Sequence, residues 1–311
     1  MRNQLPRPAA CVDTARPNER EEAVRLLFQH LPPHEAEPRI TNALDLLRRG
    51  ELDSQGLFVV RDSQTLLGAM VCQLIPGASG LVWPPQVRKH RDRRLFEDQL
   101  VLRAGTWLQR HGVKIAQALL SPEEIALSAP LTRNGFQQIT NLWYMRCQFN
   151  AVSTSPKSHV KLSYQTYGTC NSTIFQQTLL QTYEGSQDCP EVNGIRAIEE
   201  IIAGHKAQGK YDPQRWWLAW ADERPVAVLL IASVAEFRSW DLAYLGVVPE
   251  ARRRGIGREL MMKARWDACQ AQQTQLTLAV DSRNQPAWNL YRSLGFEPYD
   301  RRQVYLAVFS G

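Results

Sequence analysis

The chain has 311 residues, of which 44% are hydrophobic and 22% are charged. This balance is typical of a folded globular protein, and the length suits two domains. No apolar run reaches the roughly 20 residues of a membrane-crossing helix, and residues 1–16 lack the apolar core of a signal peptide. The net charge of +6 suits an anionic small ligand as well as nucleic acid, so charge alone does not identify the partner.

The six cysteines are scattered along the chain and form no Cys-x-x-Cys pair. Disulfide frameworks and zinc sites need closer spacing, so this pattern favours a reducing compartment, and we expect a cytoplasmic protein. The six histidines include no His-Glu-x-x-His pattern. We therefore expect no metal.

The two halves of the chain carry the same order of patterns. Residues 57–60 and 66–74 predict a β-hairpin, and residues 216–220 and 226–233 predict another. An internal repeat of this kind affects the predicted architecture of the whole chain. The order of elements indicates a duplicated unit.

A Gly-Phe pair near the end of each half supports duplication. Gly135 and Gly295 begin these pairs and lie 160 positions apart, about half the chain. A strand is predicted after each pair, at residues 141–147 and 303–309. The spacing is that of two tandem units.

The segment at residues 151–159 is small, polar and proline-containing, which is typical of a linker. We therefore predict two tandem α/β (α+β) domains, at residues 1–150 and 160–311, each with a mixed central sheet flanked by helices. Helices are predicted where apolar residues recur at helical spacing: 21–30, 39–49 and 193–208.

A glycine-rich loop lies between a predicted strand and a predicted helix in the second half. The strand covers residues 241–248, and the loop Arg-Arg-Arg-Gly-Ile-Gly covers residues 252–257. Glycines let successive N–H groups converge on one anion, and the helix N-terminus and the arginines add positive potential. The loop therefore predicts a pyrophosphate site, although it has neither the Rossmann glycine order nor a Walker A Gly-Lys-Ser/Thr.

A second motif, at residues 284–296, predicts a short helix with defined ends. Asn284 can cap its N-terminus, Pro286 suits its first turn, and Gly295 can end it in the left-handed conformation. Its order, Asn-x-x-Ala-x-x-Leu-Tyr-x-x-x-Gly-Phe, follows the Arg-x-x-Gly-x-Gly loop after one helix and one strand. Together the two motifs resemble those of the GNAT family of N-acetyltransferases, over the second half of the chain.

The resemblance implies an acetyl-CoA-dependent N-acetyltransferase that transfers an acetyl group, by direct attack, to a primary amine of a small molecule or peptide. In that family the loop holds the CoA pyrophosphate, and amides at the strand end hold the acetyl carbonyl and the pantetheine arm. The implied cofactor-binding residues are Leu245, Gly246, Val247, Arg252, Arg253, Arg254, Gly255, Ile256, Gly257, Arg258 and Asn284.

Two residues are implied for the chemistry. Tyr291 is the candidate general acid, because the phenol at this motif position points at the CoA sulfur in the family; by spacing alone it is a buried core aromatic. Asp241 lies eleven residues before Arg252, where several family members carry a strand-borne Glu that acts as base. Aspartate has a shorter reach, which suggests a bridging water, and a solvated carboxylate at the start of a strand is the alternative. Glu236 is the second candidate for the base.

The first half lacks these features. Its corresponding segment, residues 81–94, is basic but has no glycine between Gly80 and Gly105, and Leu131 stands where the second half has Tyr291. We expect a degenerate first domain that has lost catalysis. Weak CoA binding through its arginines stays open.

The segment at residues 188–194 precedes the first predicted helix of the second domain, a region that meets the acceptor in this fold. Cys189 and Glu191 are therefore candidate substrate contacts. A non-catalytic acetyl-CoA-binding regulatory module is the alternative function. Nucleic-acid binding is the less economical interpretation, because CoA phosphates account for the same arginines, so neither nucleic acid nor a membrane is expected as partner. The two fused units are expected to pack as an internal pseudo-dimer and to leave the protein monomeric.

Overall fold

A computed structural model describes residues 11–62, 65–149, 160–234 and 238–309. It is a mixed α/β structure, as predicted. The strands are β1 (Cys11–Thr14), β2 (Leu57–Asp62), β3 (Thr65–Ile75), β4 (Ser79–Val82), β5 (Gln86–Val87), β6 (Ile115–Leu120), β7 (Gln137–Gln148), β8 (Ser163–Thr166), β9 (Trp216–Ala221), β10 (Arg224–Val234), β11 (Ser239–Val247), β12 (Gln275–Asp281) and β13 (Glu297–Val308). The α-helices are α1 (Arg20–Leu27), α2 (Pro33–Arg49), α3 (Arg93–Arg110), α4 (Ala129–Arg133), α5 (Ser172–Tyr183), α6 (Ile198–Lys206), α7 (Ile256–Gln270) and α8 (Gln285–Ser293).

The chain forms two compact units, one from Met1–Ile139 with Gln303–Gly311 and one from Thr140–Arg302. The sheet of the first unit has the order β1-β2-β3-β4-β6-β13, with β5 paired to β3. The sheet of the second unit has the order β7-β12-β11-β10-β9-β8. In each sheet one pair of strands is parallel, β4 with β6 and β11 with β12, and the other pairs named here are antiparallel.

Each unit takes a strand from the other half of the sequence. β7 pairs with β12 over Leu142–Gln148, and β13 pairs with β6 over Gln303–Val308. The units therefore differ from the predicted division at residues 1–150 and 160–311. A sheet accepts any strand whose alternation matches its faces, so nearness in sequence does not fix the partner. The predicted linker at residues 151–159 lies outside the described residues.

Strand β9 shows how the second unit builds its two cores. Side chains alternate between the faces of a strand, so the adjacent Trp216 and Trp217 point in opposite directions. Trp216 and Leu218 pack with α5 and α6 on one face, and Trp217 and Ala219 pack with α7 on the other. Because helices cover both faces of the sheet here, both tryptophans are buried. The strand is accordingly an unbroken apolar run.

An irregularity in β11 opens this sheet. Leu230 of β10 pairs with Tyr244 and Ile231 pairs with Leu242, so Ala243 is an extra residue in β11. Such a bulge bends the strand that carries it. The parallel pairing of β11 with β12 covers Ser239–Leu242, and among the described residues the remainder of β11 has no pairing to β12. The strands therefore separate beyond the bulge.

The described helices include none that is both long and apolar enough to cross a membrane. All six cysteines are free thiols.

Candidate functional site

A cavity of about 860 Å³, here called the cleft, lies where β11 separates from β12. Ten of the eleven predicted cofactor residues line it: Leu245, Gly246, Val247, Arg252, Arg253, Gly255, Ile256, Gly257, Arg258 and Asn284. Tyr291 lines it as well. The fold thus brings the two sequence motifs to one cavity.

The N-terminus of α7 faces the cleft. Gly255 is its N-cap residue and has φ +82°, a left-handed conformation that glycine adopts without steric cost. The first N–H groups of a helix have no partner within the helix, and the helix dipole makes this end positive. Because Gly255, Ile256 and Gly257 line the cleft, it can accept an anion here.

Gly246 lies where no side chain can fit. A Cβ atom at this position would lie 2.5 Å from Cβ of Thr182 and 2.6 Å from the hydroxyl oxygen of Tyr244. These two residues hydrogen-bond to each other through their hydroxyl groups at 2.9 Å. The glycine lets the backbone of β11 approach α5 closely at the wall of the cleft.

The arginines of the loop have different environments. Arg252 donates from Nε to the carbonyl oxygen of Val247 at 3.0 Å and from Nη2 to that of Thr182 at 3.2 Å, with further bonds to the carbonyl groups of Glu184 and Gly185. Its guanidinium therefore joins the loop after α5 to the end of β11, and its donors are used within the protein.

Arg254 is exposed and, unlike the other predicted cofactor residues, does not line the cleft, so its contact with the cofactor stays a prediction. The chain turns at Arg253, which has φ +64°, and this turn places the two side chains in different surroundings. Arg253 and Arg258 do line the cleft, and Arg258 donates from Nη1 to the hydroxyl oxygen of Ser293 at 3.1 Å. These two arginines supply the cationic side chains that can reach a ligand.

Tyr291 belongs both to the core and to the cleft. It is only 6% exposed, and its ring packs on Phe296 with the centroids 5.8 Å apart. Burial raises the pKa of its phenol, and the nearby Asp188 and Tyr244 raise it further. The hydroxyl group therefore keeps its proton at neutral pH, as a proton donor must.

A second cavity of about 550 Å³, here called the side cavity, adjoins the cleft. Both linings include Asp188, Leu242, Ala243, Tyr244 and Ala279. Asp241 lines the side cavity and not the cleft. The two candidate catalytic residues thus face adjoining cavities with a common wall.

Asp241 is mostly buried and accepts a hydrogen bond from Oγ1 of Thr277 at 2.5 Å. Burial raises the pKa of its carboxyl group, and the bond from Thr277 opposes this only in part. A carboxylate whose pKa is raised toward neutral is a stronger base than an exposed one. Glu236, the second candidate, lies outside the described residues.

The segment at residues 188–194 lies between α5 and α6, so it does not precede the first helix of the second unit as predicted. The helix that the prediction missed, α5, begins after Asn171, whose side chain accepts hydrogen bonds from the N–H groups of Thr173 and Ile174. This N-cap was the sequence signal that could have located it. Of the two candidate contacts in the segment, Cys189 lines the side cavity and Glu191 does not.

Asp281, which the sequence analysis missed, anchors that segment to the end of β12. Its carboxylate is fully buried and accepts hydrogen bonds from Oγ1 of Thr140 at 2.6 Å, from the N–H of Cys189 at 3.0 Å and from Arg283. Arg283 in turn binds both carboxylate oxygens of Glu191. Glu191 therefore has a structural partner within the protein.

Asp188, Cys189 and Asp281 also form a group of potential metal ligands among the described residues. The side chain of Arg283 makes a 2.7 Å ion pair with Oδ2 of Asp281, so the charge of that carboxylate is balanced within the protein. Burial acts to raise the pKa of Asp281, but the hydrogen bonds from Arg283 and Thr140 outweigh it and lower the pKa to about 2. The ion pair with Arg283 and the hydrogen bonds to Asp281 account for why these three side chains lie close together.

The corresponding part of the first unit has different chemistry. Arg88 pairs with Glu22 at 2.8 Å, and Arg93 pairs with Glu97 at 2.7 Å. Leu131, the counterpart of Tyr291, is fully buried in an apolar core. Arg88 and Arg93 thus pair with carboxylates within the protein, and loss of catalysis in the first unit stays a prediction.

Residues 179–296 match the acetyltransferase (GNAT) family. The second unit therefore contains a GNAT acetyltransferase domain. A curated relative, the mycothiol acetyltransferase of Thermobifida fusca, is 24% identical over 270 residues, which are 78% of this chain and 79% of the relative. The predicted enzyme class, an acyltransferase of the N-acetyltransferase type, is confirmed.

Solved structures similar to this chain include GNAT proteins along nearly its whole length. The GCN5-related N-acetyltransferase of Sphaerobacter thermophilus has a TM-score of 0.61 and 16% identity, with 97% of this chain and 96% of that one covered. A tandem GNAT protein from the clavulanic acid biosynthesis pathway has a TM-score of 0.51 and 16% identity, with 97% and 99% covered. At this identity the likeness concerns the fold, and it confirms the predicted tandem α/β architecture around the GNAT domain.

Proposed function

We propose that this protein is an acetyl-CoA-dependent N-acetyltransferase that acts on a primary amine of a small molecule or peptide. One observation carries the proposal: the N-terminus of α7 and Tyr291 line the same cleft. Acetyl-CoA would supply a diphosphate for the first and an activated acetyl thioester for the second. The family match supports acetyl transfer in general.

The cleft suits this co-substrate in several ways. The glycines at the start of α7 offer backbone N–H groups to a diphosphate, and Arg253 and Arg258 add positive charge. Leu245 and Val247 lie on β11 beyond the bulge, where the strand edge is not paired to β12 and its peptide groups can bind an extended ligand. Arg252 holds this loop in place through the carbonyl groups it binds.

Acetyl transfer needs a neutral amine and a proton for the leaving thiolate. Asp241, with its raised pKa, is the proposed acceptor of the amine proton from the side cavity, and Tyr291 is the proposed donor in the cleft. Backbone N–H groups of β11 are the proposed donors to the thioester carbonyl oxygen. The amine would approach through the wall that the two cavities share.

We further propose a cytoplasmic monomer without a nucleic-acid partner. The six free cysteines suit a reducing compartment. Arg252 hydrogen-bonds to carbonyl oxygens of the protein, and Arg258 hydrogen-bonds to Ser293, so these arginines have roles that require no nucleic acid. Gel filtration with and without DNA tests the monomeric state and the absence of DNA binding.

Calorimetry with acetyl-CoA and two variants of Gly257 tests the proposal. Gly257→Asp adds a carboxylate near the N-terminus of α7, which the helix dipole favours but a diphosphate would repel. We expect it to weaken acetyl-CoA binding at least about tenfold relative to Gly257→Ala, a loss of about 1.4 kcal/mol. Equal binding by the two variants would refute the diphosphate site. Binding without release of CoA thiol in the presence of any amine would favour the non-catalytic binding module.

A further inference from the structure

The interior of the side cavity is largely hydrocarbon. Its aliphatic lining residues are Leu142, Leu180, Val192, Ile201, Leu242, Ala243 and Ala279. Ile201 and Leu242 are buried, whereas Leu180 is 44% exposed although it lines the cavity. Covering exposed apolar surface with an apolar ligand is favourable because it releases water from both. Leu180 therefore marks a surface that suits a hydrocarbon group.

The tyrosine hydroxyl groups of this cavity are hydrogen-bonded within the protein. The hydroxyl group of Tyr183 lies 3.0 Å from Nε2 of His205, and that of Tyr244 lies 2.9 Å from Oγ1 of Thr182. The rings of Tyr183 and Tyr244 pack together with centroids 5.1 Å apart. Burial and the nearby Arg196 lower the pKa of His205 to about 4, so its imidazole is neutral at pH 7. These residues consequently add ring surface without adding charge.

The polar part of the lining consists of the carboxylates of Glu184, Asp188 and Asp241, the guanidinium group of Arg196 and the amides of Asn193 and Gln208. Asp188 belongs to the wall shared with the cleft, and Asp241 is held by Thr277. Arg196 interacts electrostatically with Glu200 and Tyr183, so an anion of the protein already faces it. The carboxylates of Asp188 and Asp241 suit an ammonium group, and a small-molecule pocket of this size needs only a few polar groups to fix orientation.

We propose that the acceptor is a primary amine on a short hydrocarbon body, aliphatic or aromatic, which packs against Leu180, Ile201 and the ring of Tyr183. This inference rests on the proposed acetyl transfer and specifies its substrate class. Those hydroxyl groups of a polar, sugar-like acceptor that face Leu180 and Ile201 would be unpaired, and an unpaired polar group in such surroundings is costly. The cavity thus selects by the body of the amine, and the carboxylates orient the nitrogen.

Two amines of equal size test the proposal with the full-length protein and acetyl-CoA. Hexylamine and 2-(2-aminoethoxy)ethanol are unbranched primary amines with the same number of non-hydrogen atoms, and glucosamine adds a sugar. We expect kcat/KM to be at least about tenfold higher for hexylamine than for either polar amine. The measurement follows release of CoA thiol.

Two leucine variants test whether the preference for hexylamine arises in the side cavity. Leu180→Asn should lower kcat/KM for hexylamine at least about fivefold, whereas Leu102→Asn should leave it within about twofold. Leu102 is 59% exposed on α3 of the first unit, so it controls for the loss of an exposed leucine. The dissociation constant for acetyl-CoA should be the same in both variants and in the unmodified protein.

The outcomes separate the two proposals. A preference for either polar amine, or equal effects of the two variants, would overturn the hydrocarbon acceptor and leave acetyl transfer standing. If no amine releases CoA although acetyl-CoA binds, calorimetry with hexylamine and the CoA-loaded protein decides, and absence of heat overturns the inference. Absence of heat with acetyl-CoA itself would refute the proposed function.

Discussion

Asp188 and Asp281 are joined by a hydrogen bond in which the N–H of Asp281 donates to Oδ1 of Asp188 at 3.1 Å. The carboxylate of Asp281 accepts in return from the N–H of Cys189 at 3.0 Å. This reciprocal pair fixes the segment after α5 to the end of β12. It therefore sets the position of the wall between the cleft and the side cavity.

Asp281→Asn should reduce the free energy of unfolding by about 2 kcal/mol at pH 7. The hydrogen bonds that Asp281 accepts outweigh the effect of burial and lower its pKa to about 2. Its stabilising contribution is therefore complete above the unfolded-state pKa of about 4 and is lost as the pH falls toward 2. Chemical denaturation at several pH values measures this contribution to the free energy of unfolding. Asp267→Asn, which breaks a partly exposed pair with Lys263 on α7, is the control and should cost less than about 1 kcal/mol.

Tyr291→Phe should lower kcat about 100-fold and leave the dissociation constant for acetyl-CoA unchanged. The phenylalanine keeps the packing against Phe296 but removes the proton that the buried phenol retains at neutral pH. Steady-state kinetics and calorimetry measure the two quantities. Tyr305→Phe serves as control, because that buried tyrosine belongs to the core of the first unit. Unchanged turnover in Tyr291→Phe would leave the residue a purely structural role.

Asp241→Asn should remove the acidic limb of the pH profile of kcat/KM. Because burial raises the pKa of this carboxyl group, activity should rise with pH as it ionises, above the range of an ordinary aspartate. A raised folded-state pKa also means that the ionised carboxylate costs stability at neutral pH, so the variant should be no less stable than the unmodified protein. The same pH profile in both proteins would exclude Asp241 as the base.

Gly246→Ala should destabilise the second unit by about 1–3 kcal/mol and weaken acetyl-CoA binding. The added methyl group meets Thr182 and the hydroxyl group of Tyr244 at distances that require the wall of the cleft to move. Thermal unfolding and calorimetry measure both effects. Gly105→Ala is the matched control: it lies within α3, and its Cβ would meet nothing closer than 3.8 Å, so it should be neutral or stabilising. Equal stability of the two variants would contradict the close approach.

Local patterns predicted much of the fold. The two hairpins appear as β2–β3 and β9–β10, and the capping signals around the second motif predicted α8, with Asn284 at its N-cap and Gly295 at φ +83°. These features depend on nearby residues, since a turn or a cap is formed within a few positions of the chain. Hairpins and helix caps can therefore be predicted from short sequence patterns.

The remaining features depend on residues far apart in the sequence. The exchange of β7 and β13 between the two halves of the sequence, the extra residue Ala243 and the bond between Asp188 and Asp281 all involve partners that no local pattern specifies. Arg252 illustrates the limit within the site itself. Its motif position suggests a ligand contact, but it also donates to carbonyl groups at the end of α5 and in the loop that follows, about 70 positions earlier.

The partner of β6 has a consequence for synthesis on the ribosome. β6 ends at Leu120, yet Gln303–Val308 of β13 completes its pairing. A nascent chain therefore carries an open strand edge for most of its translation, and such edges invite aggregation. If the protein were split into its two sequence halves, that strand edge would stay exposed. We therefore expect either half to aggregate when it is expressed alone and the two halves to resist aggregation when they are co-expressed.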